Sequence, residues 1–116
     1  YSVSFQNNTG FTITALTLAW DYEQWRFSNT SGFDCSGTGS LSGNTTLNGK
    51  DFTGAATGTN GTVAVTNVPS FNLTGLNIAN GQTFGISWVT TDISGADNGI
   101  SIDNFSITIH VQYLHL

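Results

Sequence analysis

Apolar and polar residues alternate along most of the chain with the two-residue period of a β-strand. Phe84, Ile86 and Trp88, for example, are separated from each other by single small or polar residues. The best helical candidate, residues 21–27, is too short to change the predicted fold class. Strand-favouring Val, Ile, Thr and aromatic residues dominate the periodic segments, so the pattern predicts an all-β fold. The alternating runs lie at residues 1–5, 11–20, 62–66, 70–74, 83–88 and 100–113.

Turn signals and irregularities divide these runs. Asn7-Asn8-Thr9-Gly10 is a typical turn sequence between the first two runs. The apolar parity changes between Ile102 and Phe105, so we expect a bulge or bend at Asp103-Asn104. Pro69 cannot donate to a β-ladder and is expected to open a strand or to lie on a sheet edge.

Short strands separated by turns favour an antiparallel β-sandwich in which each sheet has one buried and one solvated face. Residues 28–60 differ, because they are rich in Gly, Ser, Thr and Asn and hold only isolated apolar residues. We interpret this segment as a loop-rich insertion with one or two short strands. The whole chain, residues 1–116, is expected to form a single domain.

Charged residues are scarce. They make up 8% of the chain, against about 25% in typical soluble domains, which is common in secreted and surface-exposed bacterial β proteins. Arg26 and Lys50 are the only cations and the net charge is -5, which argues against binding to nucleic acids or anionic membranes. No apolar run approaches the roughly 18 residues of a membrane span. We expect an extracellular or cell-surface location and, since Met and a signal peptide are absent, a mature or excised fragment.

Two stretches of the chain carry specific motifs. Tyr22-Glu23-Gln24-Trp25-Arg26 follows the run 3–16, and Ile102-Asp103-Asn104-Phe105-Ser106 closes the stretch 76–106. Together they resemble a jelly-roll-like β-sandwich domain of bacterial extracellular proteins, found in PEP-CTERM-sorted proteins and beside secreted nuclease domains. Tyr22 stands where that pattern has Gly, and Asn98 and Asn104 stand where it has acids. The resemblance implies a jelly-roll fold and an accessory role without an established activity.

The first motif holds the one concentrated cluster of charged and aromatic residues. An aromatic face can stack on the C–H face of a sugar, so Tyr22, Trp25 and Arg26 are candidate carbohydrate-binding residues. The favoured alternative is architectural. Arg26 would then pair with Glu23 and stack on a ring, which fixes the register between the sheets.

A second candidate site lies near the other motif. Asp92, Asp97 and Asp103, together with Asn98, place oxygen ligands in and beside a Gly-containing loop. Calcium takes six to eight such oxygens, so these residues are a candidate calcium site, although their spacing is not that of an EF-hand. Asx turns and a hydrogen bond beside the bulge explain the same residues without a metal, and this alternative is favoured.

The remaining chemistry-bearing residues favour structure over catalysis. Trp20 and Trp88 are in phase with the apolar side of their strands and are expected in the core. His110 is expected to face water, and neither it nor His115 has a sequence neighbour that suggests a site. Cys35 is the only cysteine and is interpreted as an unpaired loop residue, with pairing to another chain as the alternative. No nucleophile elbow, metal-binding His pair or phosphate loop is present, so we expect no enzyme activity and no cofactor besides calcium. Asn-x-Ser/Thr triplets, potential glycan acceptors, begin at Asn7, Asn29, Asn44, Asn60, Asn72 and Asn104.

These observations favour two functions of different kinds. The first is a non-catalytic structural or adhesive surface module, a fibre subunit that pairs with itself or with a neighbouring surface protein by strand addition. In the alternative, both ends pair within their own sandwich. The second function is a carbohydrate-binding module of a secreted bacterial enzyme or adhesin, with a polysaccharide as partner. The expected assembly residues lie at the two chain ends: Tyr1, Val3, Phe5, Ile109, Val111 and Tyr113.

Overall fold

Residues 1–113, which the computed structural model describes, contain six β-strands and one short helix. His115 lies outside the described residues. The longest dimension of the molecule is 59 Å, because two of the strands are unusually long. The elements are β1 (Ser2–Gln6), β2 (Thr12–Arg26), β3 (Phe33–Gly39), α1 (Thr45–Asn48), β4 (Ala64–Leu73), β5 (Thr83–Thr90) and β6 (Gly99–Gln112).

The strands form two antiparallel three-stranded sheets. One sheet has the order β1-β5-β3 and the other has the order β4-β2-β6. The predicted all-β sandwich is confirmed. A jelly roll has eight strands, whereas residues 1–113 form six, and the jelly-roll topology stays a prediction.

The core between the sheets is built from stacked aromatic rings. The Trp20 ring lies 5.2 Å from that of Trp88 and 5.3 Å from that of Phe71, both edge to face. Trp20 and Trp88 are 1% and 3% exposed, which confirms their expected place in the core. Among the described residues neither indole N–H has a hydrogen-bond acceptor, so ring packing rather than a polar network holds the centre.

The expected bulge in β6 is confirmed. Ala19 pairs with Ser106 and Asp21 with Asp103, so two residues of β6 face the single residue Trp20. One of the two, Asn104, has a φ of 53°, a left-handed conformation that Asn tolerates better than most residues. The extra residue shifts the alternation by one and turns the next apolar residues of β6 toward the core.

A matching irregularity lies in β4. The register between β2 and β4 shifts between Leu18, which pairs with Phe71, and Trp20, which pairs with Val68. Pro69 falls in this shift, and β4 is an edge strand. The edge position predicted for Pro69 is therefore confirmed.

The segment from 28 to 60 is more ordered than the sequence suggests. It contributes β3 to a sheet, and α1 begins after Asn44, whose side chain accepts a hydrogen bond from Leu47 N at 3.1 Å. Leu47 is buried because α1 packs against β3. Isolated apolar residues in this polar segment thus serve as anchors in the core.

Cys35 lies in β3 and not in a loop, which corrects the sequence-based interpretation. It is 3% exposed and its thiol is unpaired. Burial, and then the nearby Asp51 carboxylate, raise the pKa of this thiol to about 12. A neutral, buried thiol is a poor nucleophile, so pairing with another chain is disfavoured in the folded state.

Candidate binding surfaces

Tyr22 cannot face a ligand, and its assignment to a sugar platform is wrong. It is 1% exposed and stacks on Phe52 with ring centroids 4.9 Å apart. Its hydroxyl donates to the carbonyl oxygen of Lys50, and burial raises the pKa of the phenol. The residue faces inward because β2 continues past residue 20, and Tyr22 and Gln24 are its buried positions there.

Trp25 is the exposed ring of the first motif. It is 39% exposed, near the end of β2. The indole lies over Gly99, where an added Cβ would come within 2.6 Å of Trp25 Nε1. Val63 and Val65, which are 52% and 56% exposed, are further apolar residues of this end of the sheet. Trp25 therefore remains available for stacking, beside the exposed Arg26.

The neighbours that affect Glu23 are carboxylates and not Arg26, with which an ion pair was expected. A hydrogen bond with Asp103, followed by burial and by the charges of Asp103 and Asp21, raises the pKa of Glu23 above its ordinary value of 4.5. Asp21 has the opposite shift. Its oxygens accept from Asn104 Nδ2 at 2.8 Å and Asn67 Nδ2 at 2.7 Å, which lowers its pKa.

The predicted calcium residues do not converge. No three His, Cys, Asp or Glu side chains between residues 1 and 113 are placed to hold a metal ion together. Asp103 pairs with Asp21 inside the sheet, while Asp97 accepts from Asn29 Nδ2 at 3.2 Å. The carboxylates of Asp92, Asp97 and Asp103 therefore do not form one cluster, because β6 carries Asp103 away from the loop, and calcium binding stays a prediction.

Asn98 instead fastens the loop that follows β2. Its Oδ1 accepts from Ser28 N at 2.7 Å and from Asn29 N at 3.1 Å. Its Nδ2 donates to Asn29 O at 2.6 Å and to Ser31 O at 3.0 Å. These four bonds complete the hydrogen-bonding needs of one amide, so the side chain is a structural clamp.

Gln24 is a second clamp, which the sequence analysis missed. It is 2% exposed, and it exchanges two hydrogen bonds with Ala55, at 2.7 Å through Nε2 and 2.9 Å through Oε1. Gly54 lies between this amide and that of Asn98, where a Cβ would collide with both Ser31 and Asn98. The two motif-bearing stretches of the chain thus meet at one end of the sandwich. The sequence signal for this role of Gln24 was a polar residue at an inward position of β2.

Asn7 performs the same role at the opposite end. It is 1% exposed, and its Nδ2 donates to Phe11 O at 2.8 Å and to Ile78 O at 2.9 Å. Its Oδ1 accepts from the hydroxyl of Thr9 at 2.7 Å. A glycan on this triplet is incompatible with the folded chain, because the amide is enclosed and fully bonded.

A groove of about 350 Å³ lies at this second end. The exposed rings of Phe11 and Tyr113 meet there edge to face, with centroids 4.7 Å apart. Asn80 stands beside them, with its Oδ1 accepting from Gly10 N at 2.8 Å. Among residues 1–113, the groove is lined by Gly10, Phe11, Thr12, Asn80, Gln112 and Tyr113.

The terminal strands β1 and β6 both pair within their own sandwich, as the alternative interpretation has it. Tyr1 and Trp88 exchange two backbone hydrogen bonds of 2.8 and 2.9 Å. Because bonded and non-bonded pairs alternate in an antiparallel ladder, the backbone groups of Ser2 and Ser4 point away from β5. Within residues 1–113 β6 pairs with β2 alone. Each terminal strand is therefore the edge of a different sheet.

These two edges lie on the same side of the sandwich. Phe5 of β1 and Phe105 of β6 stack across the core with centroids 6.4 Å apart. Of the residues assigned to assembly, Tyr1, Ile109 and Tyr113 are 66%, 41% and 58% exposed. Val3, Phe5 and Val111 are half-buried and contribute to the core.

On the other side of the sandwich, the edge strands β3 and β4 have features that hinder further strand pairing. Phe33 of β3 exchanges hydrogen bonds of 2.8 and 2.9 Å with Phe52, and the Asp51 carboxylate accepts from Cys35 N at 2.7 Å. These contacts cover the start of β3. Pro69 has no backbone N–H and so breaks the row of hydrogen-bond donors along β4.

The helix within residues 1–113 has four residues and cannot cross a membrane. His110, as expected, is exposed, and its Nε2 lies 2.9 Å from the hydroxyl of Thr17. No family model, no curated protein and no solved structure matches this chain. The resemblance to the bacterial extracellular domain stays a prediction.

Proposed function

We propose that the chain is a non-catalytic extracellular module of structural or adhesive type that self-associates through its terminal strands. The observation that carries this proposal is the placement of β1 and β6 as neighbouring edges, with the backbone groups of Ser2 and Ser4 directed outward. An uncovered edge presents donors and acceptors that a further strand can complete. The low charge of the chain supports close approach of a second copy, because few ions need to be desolvated.

Edge charges test this proposal. Lysines at Ser4 and Thr108, both exposed on the terminal strands, should block edge pairing because a charged edge resists strand addition. A control with lysines at Thr66 and Ser70 on β4 carries the same net charge. We expect light scattering and negative-stain microscopy to show concentration-dependent assemblies for the wild type and the control, and monomers for the edge variant. A wild type that stays monomeric at high concentration would contradict the proposal.

A second candidate function is carbohydrate binding, which the exposure of Trp25 favours. The ring lies against Gly99 and is partly exposed, and an exposed aromatic face suits the C–H face of a sugar. In affinity gels that contain neutral polysaccharides, wild-type migration should be retarded and Trp25→Ala should be retarded less. Val89→Ala, which removes another exposed apolar side chain, is the matched control. Equal retardation of all three proteins would exclude the Trp25 platform.

A further inference from the structure

The groove lined by Phe11 and Tyr113 has the features of a ligand site. Its volume of about 350 Å³ falls in the range of small-molecule sites, which run from about 300 to 1,000 Å³. It lies at the start of β2, whereas Trp25 lies near the other end. Since β2 has 15 residues, the two places are about 45 Å apart at about 3.3 Å per residue. The groove is therefore separate from the Trp25 platform.

Two rings give the groove its apolar surface. Phe11 is 37% exposed and Tyr113 is 58% exposed, and their planes are inclined by 64°. Exposed rings at such an angle offer two differently directed faces rather than one flat platform. A pyranose ring presents C–H groups on its faces and hydroxyls around its rim, so it can stack on one face while its edge meets the other.

Amide groups give the groove its polar surface. The hydrogen bond that Asn80 Oδ1 accepts from Gly10 holds the side chain in place and leaves its NH₂ group as a donor. Gln112, at the end of β6 and in register with Thr12, adds a second amide. Amides provide both donors and acceptors, which is what vicinal hydroxyls require.

Charge identifies the class of ligand. None of the lining residues within 1–113 carries a charge, and the whole chain has a net charge of -5. An anionic polysaccharide would meet repulsion without a compensating cation from these residues, and a cationic ligand would find no carboxylate among them. We propose that this groove binds a neutral saccharide chain. The inference shares its ligand class with the second candidate function and depends neither on Trp25 nor on self-association.

Titration of the full chain with neutral hexasaccharides (cello-, manno-, xylo- and chito-oligomers) tests the groove. Isothermal calorimetry should detect binding of at least one of them, and Tyr113→Ala should weaken it about tenfold through loss of a stacking face. Tyr113→Phe keeps the ring and should bind like the wild type. Polygalacturonate, which is anionic, should not bind.

Three results would overturn the proposal: no binding of any neutral oligomer, equal binding of polygalacturonate, or binding that Tyr113→Ala leaves intact. Val89→Ala, at an exposed apolar position outside the groove, is the control and should leave calorimetric binding unchanged. If Trp25→Ala abolishes binding while Tyr113→Ala does not, the groove is excluded and the platform retained. Light scattering on the same samples reports self-association independently.

Discussion

At the scale of single residues, buried and half-buried amides hold the ends of this sandwich. Asn7, Gln24 and Asn98 each bind backbone groups outside the strand ladders, at Phe11, Ala55 and Ser28. An unpaired buried backbone group costs free energy comparable to a lost hydrogen bond. Three side chains that look like surface polar residues in the sequence are therefore structural.

Asn98→Ala tests the importance of one clamp. The change removes four hydrogen bonds to residues 28–31 and leaves backbone groups there unsatisfied. We expect the free energy of unfolding to fall by about 2 kcal/mol, measured by urea denaturation. Asn77→Ala, at an exposed position, should change it by less than about 0.5 kcal/mol. Similar losses in both variants would show that Asn98 is not a clamp.

The carboxyls of Glu23 and Asp21 make the stability of the fold depend on pH in opposite directions. Because the pKa of Glu23 is raised above 4.5 in the folded state, its ionisation at neutral pH destabilises the fold. Glu23→Gln should therefore melt at a higher temperature than the wild type at pH 7, with the difference vanishing as the pH falls below 4.5.

Asp21→Asn is the control of opposite sign. The pKa of Asp21 is lowered below 3.8 by its two amide partners, so its ionised form stabilises the fold at neutral pH. That contribution is lost as the pH falls through the depressed pKa. The variant should melt below the wild type at pH 7 and approach it in acid, and melting curves from pH 2 to 7 would record both trends. Shifts of the same sign in both variants would contradict the assigned partners.

At the scale of secondary-structure elements, the bulge in β6 decides which residues face the core. Ahead of the bulge the even positions Ile100 and Ile102 point inward, and after it the odd positions Phe105 and Ile107 do so. One extra residue thus reconciles an apolar pattern that changes parity with a single continuous strand.

Asn104 variants test whether the left-handed backbone is required. Asn104→Gly and Asn104→Ala both lose the hydrogen bond to Asp21, but Gly adopts a φ of 53° without steric cost. The Ala variant should be less stable than the Gly variant by about 1 kcal/mol, as measured by chemical denaturation. Equal stabilities would mean that the bulge relocates when Asn104 is replaced.

At the scale of the whole molecule, one ring cluster connects the two sheets. Trp20 of one sheet contacts Trp88 of the other and, within its own sheet, Phe71 and Phe105. Small domains are stable by only about 5–15 kcal/mol. The loss of one central ring should therefore threaten the fold as a whole.

Trp20→Ala is expected to destabilise the protein by about 3–5 kcal/mol, through lost burial and the cavity that remains. Trp25→Ala removes the same side chain from a position that is 39% exposed and should cost much less. Urea titrations followed by circular dichroism would compare the two. Comparable losses would contradict the central role assigned to Trp20.

The sequence predicts the elements better than it predicts the site. The alternation predicted β1, β5 and β6, and the parity change located the bulge at Asp103-Asn104. The segment 28–60 was harder to interpret, because β3 contains three glycine and serine residues within Phe33–Gly39 and obtains its strand structure from pairing with β5. Such pairing is non-local and leaves little local signal.

The candidate sites likewise combine features with a local sequence signal and features that only non-local contacts produce. Alternation within β2 places Trp25 outward and Tyr22 inward, but the predicted range of that strand ended at residue 20, so the platform was assigned one inward residue. The groove joins the start of β2 to the end of β6 and to the turn at Asn80. Residues so far apart in the chain carry no shared local pattern.

By itself, the sequence determined that this chain is an antiparallel β protein with a sparsely charged surface, because strand periodicity and composition are local properties. The tertiary structure decided which carboxylates meet, which amides act as clamps, and which edges and which groove stay open. Those outcomes depend on register and on packing between the two sheets, where a shift of one residue exchanges the inner face of a strand for its outer face.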